Sequence, residues 1–415
     1  MNIWLVMTGE PLALYGERPH RIGILSEVLS TLGHSVTWWT TTFDHQSKSY
    51  LFDNNKHLDV KANLSMKFLH SNRPYKKNVS LSRIINHGEV AQQFIELAKN
   101  ESKPDLILCC YPTIELAYEA TKYGREMSVP VVVDVRDLWP DIFLDAIPSF
   151  ARPFGKLALK NYYKKTNYIF ENCTAITAVS KKYLTWTESF SKRTIDSRDS
   201  VFPLAYKISD DESDGLPEVI EHFEKLGVDS EKVIVWFVGT FGRTYDLSPI
   251  IEAARAIDNP HVQFVFTGEG EQGELWKKMA SDLDNVIFTG WVDRKGIAYL
   301  STVASIGLMA YRKGAPQGLP NKVFEYLAAG LPILSSLETE TKDLLEHHEV
   351  GFTYKASDSR DFQSKLEDLV ANPAKLEKLG KQARRSFVEN YSADTVYEEM
   401  ANYLSNTIQE YKNRT

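Results

Sequence analysis

Residues 3–41 read IWLVMTGEPLALYGERPHRIGILSEVLSTLGHSVTWWTT, and three features of this stretch decide the fold. The run IWLVM is short, apolar and bounded by turn residues, as a buried strand is. Apolar residues then recur at helical spacing over IGILSEVLSTLG, which ends on Gly33, a residue suited to the left-handed turn that closes a helix. HSVTWWTT returns to strand character, and parallel strands need a crossover of this kind, so the stretch is a βαβ unit. Outward from it, PDLILCCY (104–111) and PVVVDVR (130–136) continue the sheet, and AITAVS (175–180) reads as its last strand.

The second half repeats the plan. VIVWFVG (233–239), HVQFVFTG (261–268), NVIFTGW (285–291), ASIGLMAY (304–311) and PILSS (332–336) alternate with helical stretches such as SPIIEAARAI (248–257). The fold class expected is therefore α/β, with two doubly wound parallel sheets covered by helices. Between them, the segment from Asp199 to Pro217 loses apolar periodicity and gains acidic and turn residues, as a linker does. We place the first domain at residues 1–205 and the second at 206–390, followed by a C-terminal helix over 391–415. Open sheets of this kind bind ligands at the carboxyl ends of their strands, so the expected active site lies in a cleft between the two domains.

The 415 residues exceed what one core serves, in keeping with two domains of roughly 200 residues. A hydrophobic fraction of 43% and a charged fraction of 25% are those of an ordinary globular enzyme. The formal net charge of -7 argues against nucleic-acid binding, which rests on an excess of Lys and Arg. Cys109, Cys110 and Cys173 make an odd count without zinc spacing, so neither disulfides nor a metal are expected from them. No apolar run approaches the roughly 18 residues of a spanning helix, and the expected location is the cytoplasm.

The segment carrying most chemistry is GAPQGLPNKVFEYLAAGLPILSS (314–336). Pro320 stands where a helix begins and Gly330 just past its end, and a loop containing Gln317, Gly318 and Leu319 leads into it. Such a helix start presents bare N–H groups and the positive end of a dipole, which suits a diphosphate. Asn321 and Glu325 share one helix face, and Lys322 adds a cation. In VWFVGTFGRTYDLSPIIEAA (235–254), Gly239 and Gly242 permit close approach to a phosphate, and Arg243 is the neighbouring cation.

In these two segments the sequence resembles the family-4 glycosyltransferases of the GT-B fold, and PVVVDVRDLWPD (130–141) resembles a string of the bacterial surface-polysaccharide enzymes among them. The resemblance extends over nearly the whole chain and implies several roles. Glu325 would hold the donor ribose. Gln317 stands where relatives carry a Glu that contacts the donor sugar, and Thr240 and Tyr245 stand where relatives carry an Arg and a Lys, which leaves Arg243 to neutralise the diphosphate. Trp291 and Val292, in FTGWVDRKGIAYL (288–300), would lie near the base, and Gly16 near the donor phosphate. Arg136 occupies the place of a family His, with Asp134 and Asp137 beside it as crevice-lining carboxylates. The helix over 391–415 would cross back to the first domain.

The implied reaction is sugar transfer with retention from a nucleotide diphosphate sugar, UDP by family frequency and an N-acetylated hexosamine among the options. The acceptor is a lipid-linked or saccharide one in cell-surface polysaccharide biosynthesis. No Asp-x-Asp pair follows a strand and no His cluster occurs at ligand spacing, so no metal and no cofactor beyond the donor are expected. Arg18, His20 and Arg21, in the long first βα loop, are candidates for an anionic acceptor or phosphate. Basic residues interleave with apolar ones in 65–89, which includes Lys67, Lys76 and Lys77, and in 152–165; this is the pattern of contact with an anionic membrane surface. A nucleotide-sugar 2-epimerase of the same fold and an inert binding subunit are the alternatives.

Overall fold

The computed structural model describes every residue except 16–18, 78, 79, 146, 206, 208–215, 316 and 415. Gly16 and Arg18, expected above to meet phosphate or acceptor, lie outside the described residues. The chain divides into two compact units, Met1–Pro203 with Val396–Thr415, and Leu204–Thr395.

Among the described residues unit 1 contains ten strands: β1 (Asn2–Val6), β2 (Ser35–Thr41), β3 (Phe43–Asp44), β4 (Ser49–Tyr50), β5 (Lys56–Lys61), β6 (Leu64–Leu69), β7 (Leu106–Tyr111), β8 (Val131–Val135), β9 (Ala175–Ala178) and β10 (Ser200–Val201). Eight of them form a sheet in the order β10-β9-β8-β7-β1-β2-β6-β5, and β3 and β4 pair separately. Its α-helices are α1 (Arg21–Thr31), α2 (Leu81–Ala98), α3 (Ile114–Met127), α4 (Asp141–Asp145), α5 (Arg152–Ala158), α6 (Lys160–Asn172) and α7 (Lys181–Trp186). The central strands β7 and β8 are buried throughout, as expected of parallel strands covered on both faces. Strand order reverses between β1 and β7, which makes that edge the topological switch point.

Two expectations need correction. AITAVS is not the last strand, because β10 pairs beyond it at the edge. The sheet is also not wholly parallel, since β5 runs antiparallel to β6. Both additions are edge strands: β10 has two residues and β5 is almost entirely exposed, so neither carries the apolar run that marks an interior strand.

Unit 2 has strands β11 (Val233–Val238), β12 (Val262–Thr267), β13 (Val286–Gly290), β14 (Ile306–Met309), β15 (Ile333–Ser335) and β16 (Gly351–Thr353) in the order β13-β12-β11-β14-β15-β16, with every pairing parallel. Its helices are α8 (Leu216–Lys225), α9 (Ser248–Ala256), α10 (Gly273–Met279), α11 (Arg294–Val303), α12 (Asn321–Ala328), α13 (Glu340–His348), α14 (Ser359–Val370) and α15 (Pro373–Asn390). Here the switch point falls between β11 and β14. A last helix, α16 (Ala393–Arg414), belongs to unit 1 from Val396 onward, where Tyr403 Oη donates to the Arg198 carbonyl and Lys412 pairs with Asp105. No described helix is long and apolar enough to cross a membrane.

Unit 1 is built around a buried ion pair. Asp134 interrupts the apolar strand β8, and its two oxygens each lie 2.8 Å from the Arg21 guanidinium, with Thr177 Oγ1 donating at 2.7 Å. Arg21 also donates to the carbonyls of Phe202 and Pro203. Both side chains are fully buried, which corrects the expectation that Arg21 meets phosphate or acceptor and that Asp134 lines a crevice. Burial alone would raise the Asp134 pKa, but the charge and hydrogen bonds of Arg21 outweigh it and hold the carboxyl below its usual value.

Removing one partner of such a pair strands the other, so Asp134→Ala should cost about 3–5 kcal/mol in denaturant unfolding. Because the folded pKa is depressed, the stability contributed by wild-type Asp134 is fully present above the unfolded carboxylate value and is lost as pH falls through the folded one. Asp134→Ala should therefore lack this acid-side decline, which parallel unfolding curves against pH will check.

Candidate functional site at the head of the second sheet

The turns that follow β11, β12 and β13 are laced together by backbone hydrogen bonds. Gly239 N donates to Thr267 O at 2.9 Å, Phe241 N to Glu269 O at 2.7 Å, Gln272 N to Phe241 O at 2.9 Å and Gly268 N to Gly290 O at 2.8 Å. Glycine is required at two of the contacts. A Cβ on Gly268, at φ +137°, would fall 1.9 Å from the Gly239 carbonyl oxygen, and one on Gly270, at φ +153°, would fall 2.6 Å from that of Phe241.

Across the switch point, the loops after β11 and β14 also pair. Tyr245 and Tyr311 form an isolated antiparallel bridge, and Asp246 N donates to Ala310 O at 3.0 Å. Helix α12 packs down on these strands through Tyr326, whose hydroxyl lies 3.1 Å from the carbonyls of Trp236 and Leu308 and accepts from Val238 N at 3.2 Å. Gly307 makes room for that ring, since a Cβ there would meet it at 2.5 Å.

This packing fixes Lys322, in the first turn of α12. Its ammonium donates to Tyr245 Oη at 2.8 Å and lies 4.4 Å from the Tyr245 ring centroid and 5.2 Å from that of Phe237. A Cβ on Gly239 would stand 2.3 Å from Lys322 Nζ, so the cation rests directly on the bare glycine backbone. Pro320 is the N-cap of α12, in an extended conformation, and offers no side-chain cap to its first turn. A cation and a helix start thus converge where the strand order reverses, an arrangement suited to a diphosphate.

The loop that leads into α12 is pinned by the start of α13. Thr339 Oγ1 donates to Gln317 O at 2.7 Å and Thr341 Oγ1 to Gly318 O at 2.5 Å. A Cβ on Gly318 would meet Glu340 Oε2 at 2.3 Å. The side-chain Oε1 of Gln317 is buried without a hydrogen-bond partner among the described residues, which costs about 1–3 kcal/mol unless a donor meets it. Leu319 and Glu325 are half-buried, and Asn321 is exposed.

The remaining predicted residues lie at varying distances from this centre. Arg243 is 79% exposed at its side chain and pairs with Glu271 at 2.9 Å, whereas Lys322 is held in place. Gly242 has open space around it and carries no steric requirement. Trp291 is 73% exposed after the edge strand β13, with Val292 half-buried beside it.

In unit 1, Arg136 pairs with Glu10, whose other oxygen accepts from Ile22 N at the start of α1. The Asp137 carboxylate accepts from Leu138 N at 2.8 Å and Trp139 Nε1 at 3.1 Å. Burial pushes its carboxyl above the usual range. His20 is exposed at the N-cap of α1, and Lys76 and Lys77 are exposed before α2. Lys67 is corrected: its side chain is only 13% exposed, lies over Trp39 and pairs with Glu101 at 2.6 Å. Sequence reasoning gave no site role to Tyr311, Thr339 or Glu340. Tyr245 stood out only as a departure from the family pattern, and a tyrosine pair at two sheet-head loops was its available signal.

Two doubly wound units of this kind define the GT-B fold, and Anabaena HepE in complex with UDP aligns with 98% of this chain and 99% of its own at a TM-score of 0.64 and 14% identity. Residues 218–386 match the family model for Glycosyl transferases group 1. EpsD of Bacillus subtilis (strain 168), which bears the name of a glycosyltransferase, is 27% identical over 187 residues, 44% of this chain and 48% of its own. The lipopolysaccharide core biosynthesis glycosyltransferase LpsE of Rhizobium meliloti (strain 1021) is 24% identical over 175 residues, 41% of this chain and 49% of its own. The chain thus matches about half the length of these curated relatives.

Two glycines of these facing turns should separate in their tolerance. Gly268→Ala, on the facing turn, forces backbone against backbone at a strained φ and should cost about 2–4 kcal/mol of stability. Gly242→Ala should stay within about 0.5 kcal/mol of the parent. Equilibrium urea unfolding of both variants will check this.

Proposed function

We propose that the protein is a glycosyltransferase that moves a sugar from a nucleotide diphosphate donor, UDP-linked, to a lipid-linked or saccharide acceptor of cell-surface polysaccharide. The observation that carries this reading is the Lys322 ammonium, held by Tyr245 against the Gly239 backbone at the switch point of unit 2. A diphosphate there receives the cation and the N–H groups of the α12 start. Charge that develops on the leaving group is stabilised by groups already in place, the usual main source of rate enhancement. Glu325, one turn further along α12, takes the ribose hydroxyls, and the buried Gln317 Oε1 accepts a donor-sugar hydroxyl.

HepE, a relative in fold, is seen with UDP, and LpsE bears a name from lipopolysaccharide synthesis; both support the donor and the polysaccharide context. In this reading the anomeric configuration is retained, the leaving phosphate accepts the proton, and no metal takes part. Removing the cation should slow chemistry more than binding. Lys322→Met should lower kcat about 10²–10³-fold with a smaller change in KM, as loss of one preorganised charge donor does. Glu325→Ala should abolish UDP binding in calorimetry, and unchanged affinity would remove its assignment to the ribose.

A peripheral membrane contact through unit 1 is part of the same proposal. Phe150, Phe154 and Leu157 are 81%, 75% and 69% exposed, beside the exposed cations Arg152, Lys156 and Lys160. Leu81 is 77% exposed after Lys76 and Lys77. Apolar side chains among cations suit an anionic lipid surface. Cosedimentation with phosphatidylglycerol vesicles should fall when Lys76 and Lys77 are both changed to Glu, and fall further with Phe154→Ser; equal sedimentation of variants and parent argues against membrane contact.

A further inference from the structure

The turn after β11 carries a second polar group that faces the bare backbone of Gly239. A Cβ on Gly239 would lie 3.9 Å from Tyr245 Oη as well as 2.3 Å from Lys322 Nζ, so hydroxyl and ammonium border the same space. Tyr245 is held there by its backbone. Its amide donates to Gly242 O and its carbonyl accepts from Arg312 Nε, both at 3.2 Å. Its chain neighbours bond to the loop after β14: Arg312 N donates to Thr244 O and Asp246 N to Ala310 O, each at 3.0 Å. The ring is wedged between Phe237 and Tyr311, with centroids 5.2 Å and 4.7 Å away, and the residue as a whole is half-buried.

The direction of the Tyr245 hydroxyl follows from the protons of its neighbours. A phenol has one O–H to give and can also accept, whereas an ammonium only donates. At 2.8 Å, therefore, the Tyr245 oxygen accepts from Lys322. Tyr311 Oη lies 3.4 Å from Tyr245 Oη, in a residue only 2% exposed, and has no other hydrogen-bond partner among the described residues. Burial first, and then Tyr245, push the Tyr311 phenol above its usual range, so it keeps its proton. A buried O–H is costly to leave unmet, and Tyr245 Oη is the acceptor within its reach. With its oxygen accepting from Lys322 and Tyr311, Tyr245 has its own proton left for a third group.

We propose that Tyr245 donates this proton in a hydrogen bond to the diphosphate of the donor, beside the charge of Lys322. The phenol is then a bridge that accepts from the cation and donates to the anion. It touches the substrate itself, besides orienting the lysine. The proton stays on the phenol throughout, and the bond strengthens as negative charge gathers on the leaving oxygens. Relatives are expected to carry a Lys at this position; here a second ammonium would meet Lys322 Nζ, and the turn supplies a neutral donor while α12 supplies the charge. That the anion is a nucleotide diphosphate rests on the glycosyltransferase reading; the direction of the proton rests on the three side chains.

The test is a double-mutant cycle read by calorimetry of the full chain with UDP, over the parent, Tyr245→Phe, Lys322→Met and the double variant. Tyr245→Phe keeps the ring between Phe237 and Tyr311. It should weaken UDP about tenfold or more, as loss of a hydrogen bond to a charged group does, and leave the affinity for uridine unchanged. Because the phenol meets the anion directly, about threefold or more of that loss should persist when the change is made in Lys322→Met. A loss that vanishes there makes Tyr245 act only through the lysine and overturns the proposal, as does equal UDP affinity in parent and Tyr245→Phe. Should Tyr245→Phe fail to fold, 3-fluorotyrosine placed at 245 gives the answer: its fluorine resonance should move with UDP and stay with uridine, and an unmoved resonance overturns the proposal. No binding of UDP by the parent overturns the donor reading as well, whereas UDP binding indifferent to Tyr245 leaves that reading standing and removes this one alone.

Discussion

The contact of Gly268 with the Gly239 carbonyl sets the head of the second sheet. No residue with a Cβ fits that approach, so the turns after β11 and β12 close on each other only because glycine stands there. The closed turns leave Gly239 bare on its other side, and Lys322 fills that space with its ammonium against Tyr245. The cation is thereby positioned by backbone and aromatic packing, with a phenol oxygen instead of a carboxylate as its hydrogen-bond partner. A carboxylate partner would neutralise it; a phenol orients it and leaves its charge for a ligand.

The same logic separates Lys322 from Arg243. Both were legible as cations near a phosphate turn, and composition gives no ground for choosing between them. The exposed ion pair of Arg243 with Glu271 contributes little and is screened by salt, whereas Lys322 is fixed by contacts on several sides. A turn motif identifies which backbone approaches a ligand. It does not identify which side chain the next helix delivers to that place, because delivery depends on how α12 seats over Gly307 through Tyr326, a contact between β14 and α12.

Much of the fold was legible because parallel strands are buried on both faces and read as continuous apolar runs; LILCCY and VVVDV are buried at every position. The edge strands were not, since KHLDVK is exposed and polar and a two-residue strand has no period. The Arg21–Asp134 pair also escaped. Its members are 113 residues apart, and each was read with its loop instead of with its burial. The available signal was Asp134 itself: a carboxylate inside an all-apolar strand demands a buried cation, and an arginine opening the first helix is placed to supply it.

The two switch points show two ways of holding positive charge in a sheet crevice. In unit 2 one ammonium sits on two aromatic rings beside an uncapped helix start, a fixed and economical arrangement that favours a strongly charged ligand able to reach the backbone amides. In unit 1 several charges gather about the Tyr75 ring, and burial first, then the neighbouring cations, lowers the pKa of His45 and His87. Strand order, not overall composition, thus decides where a crevice opens and which side chains line it.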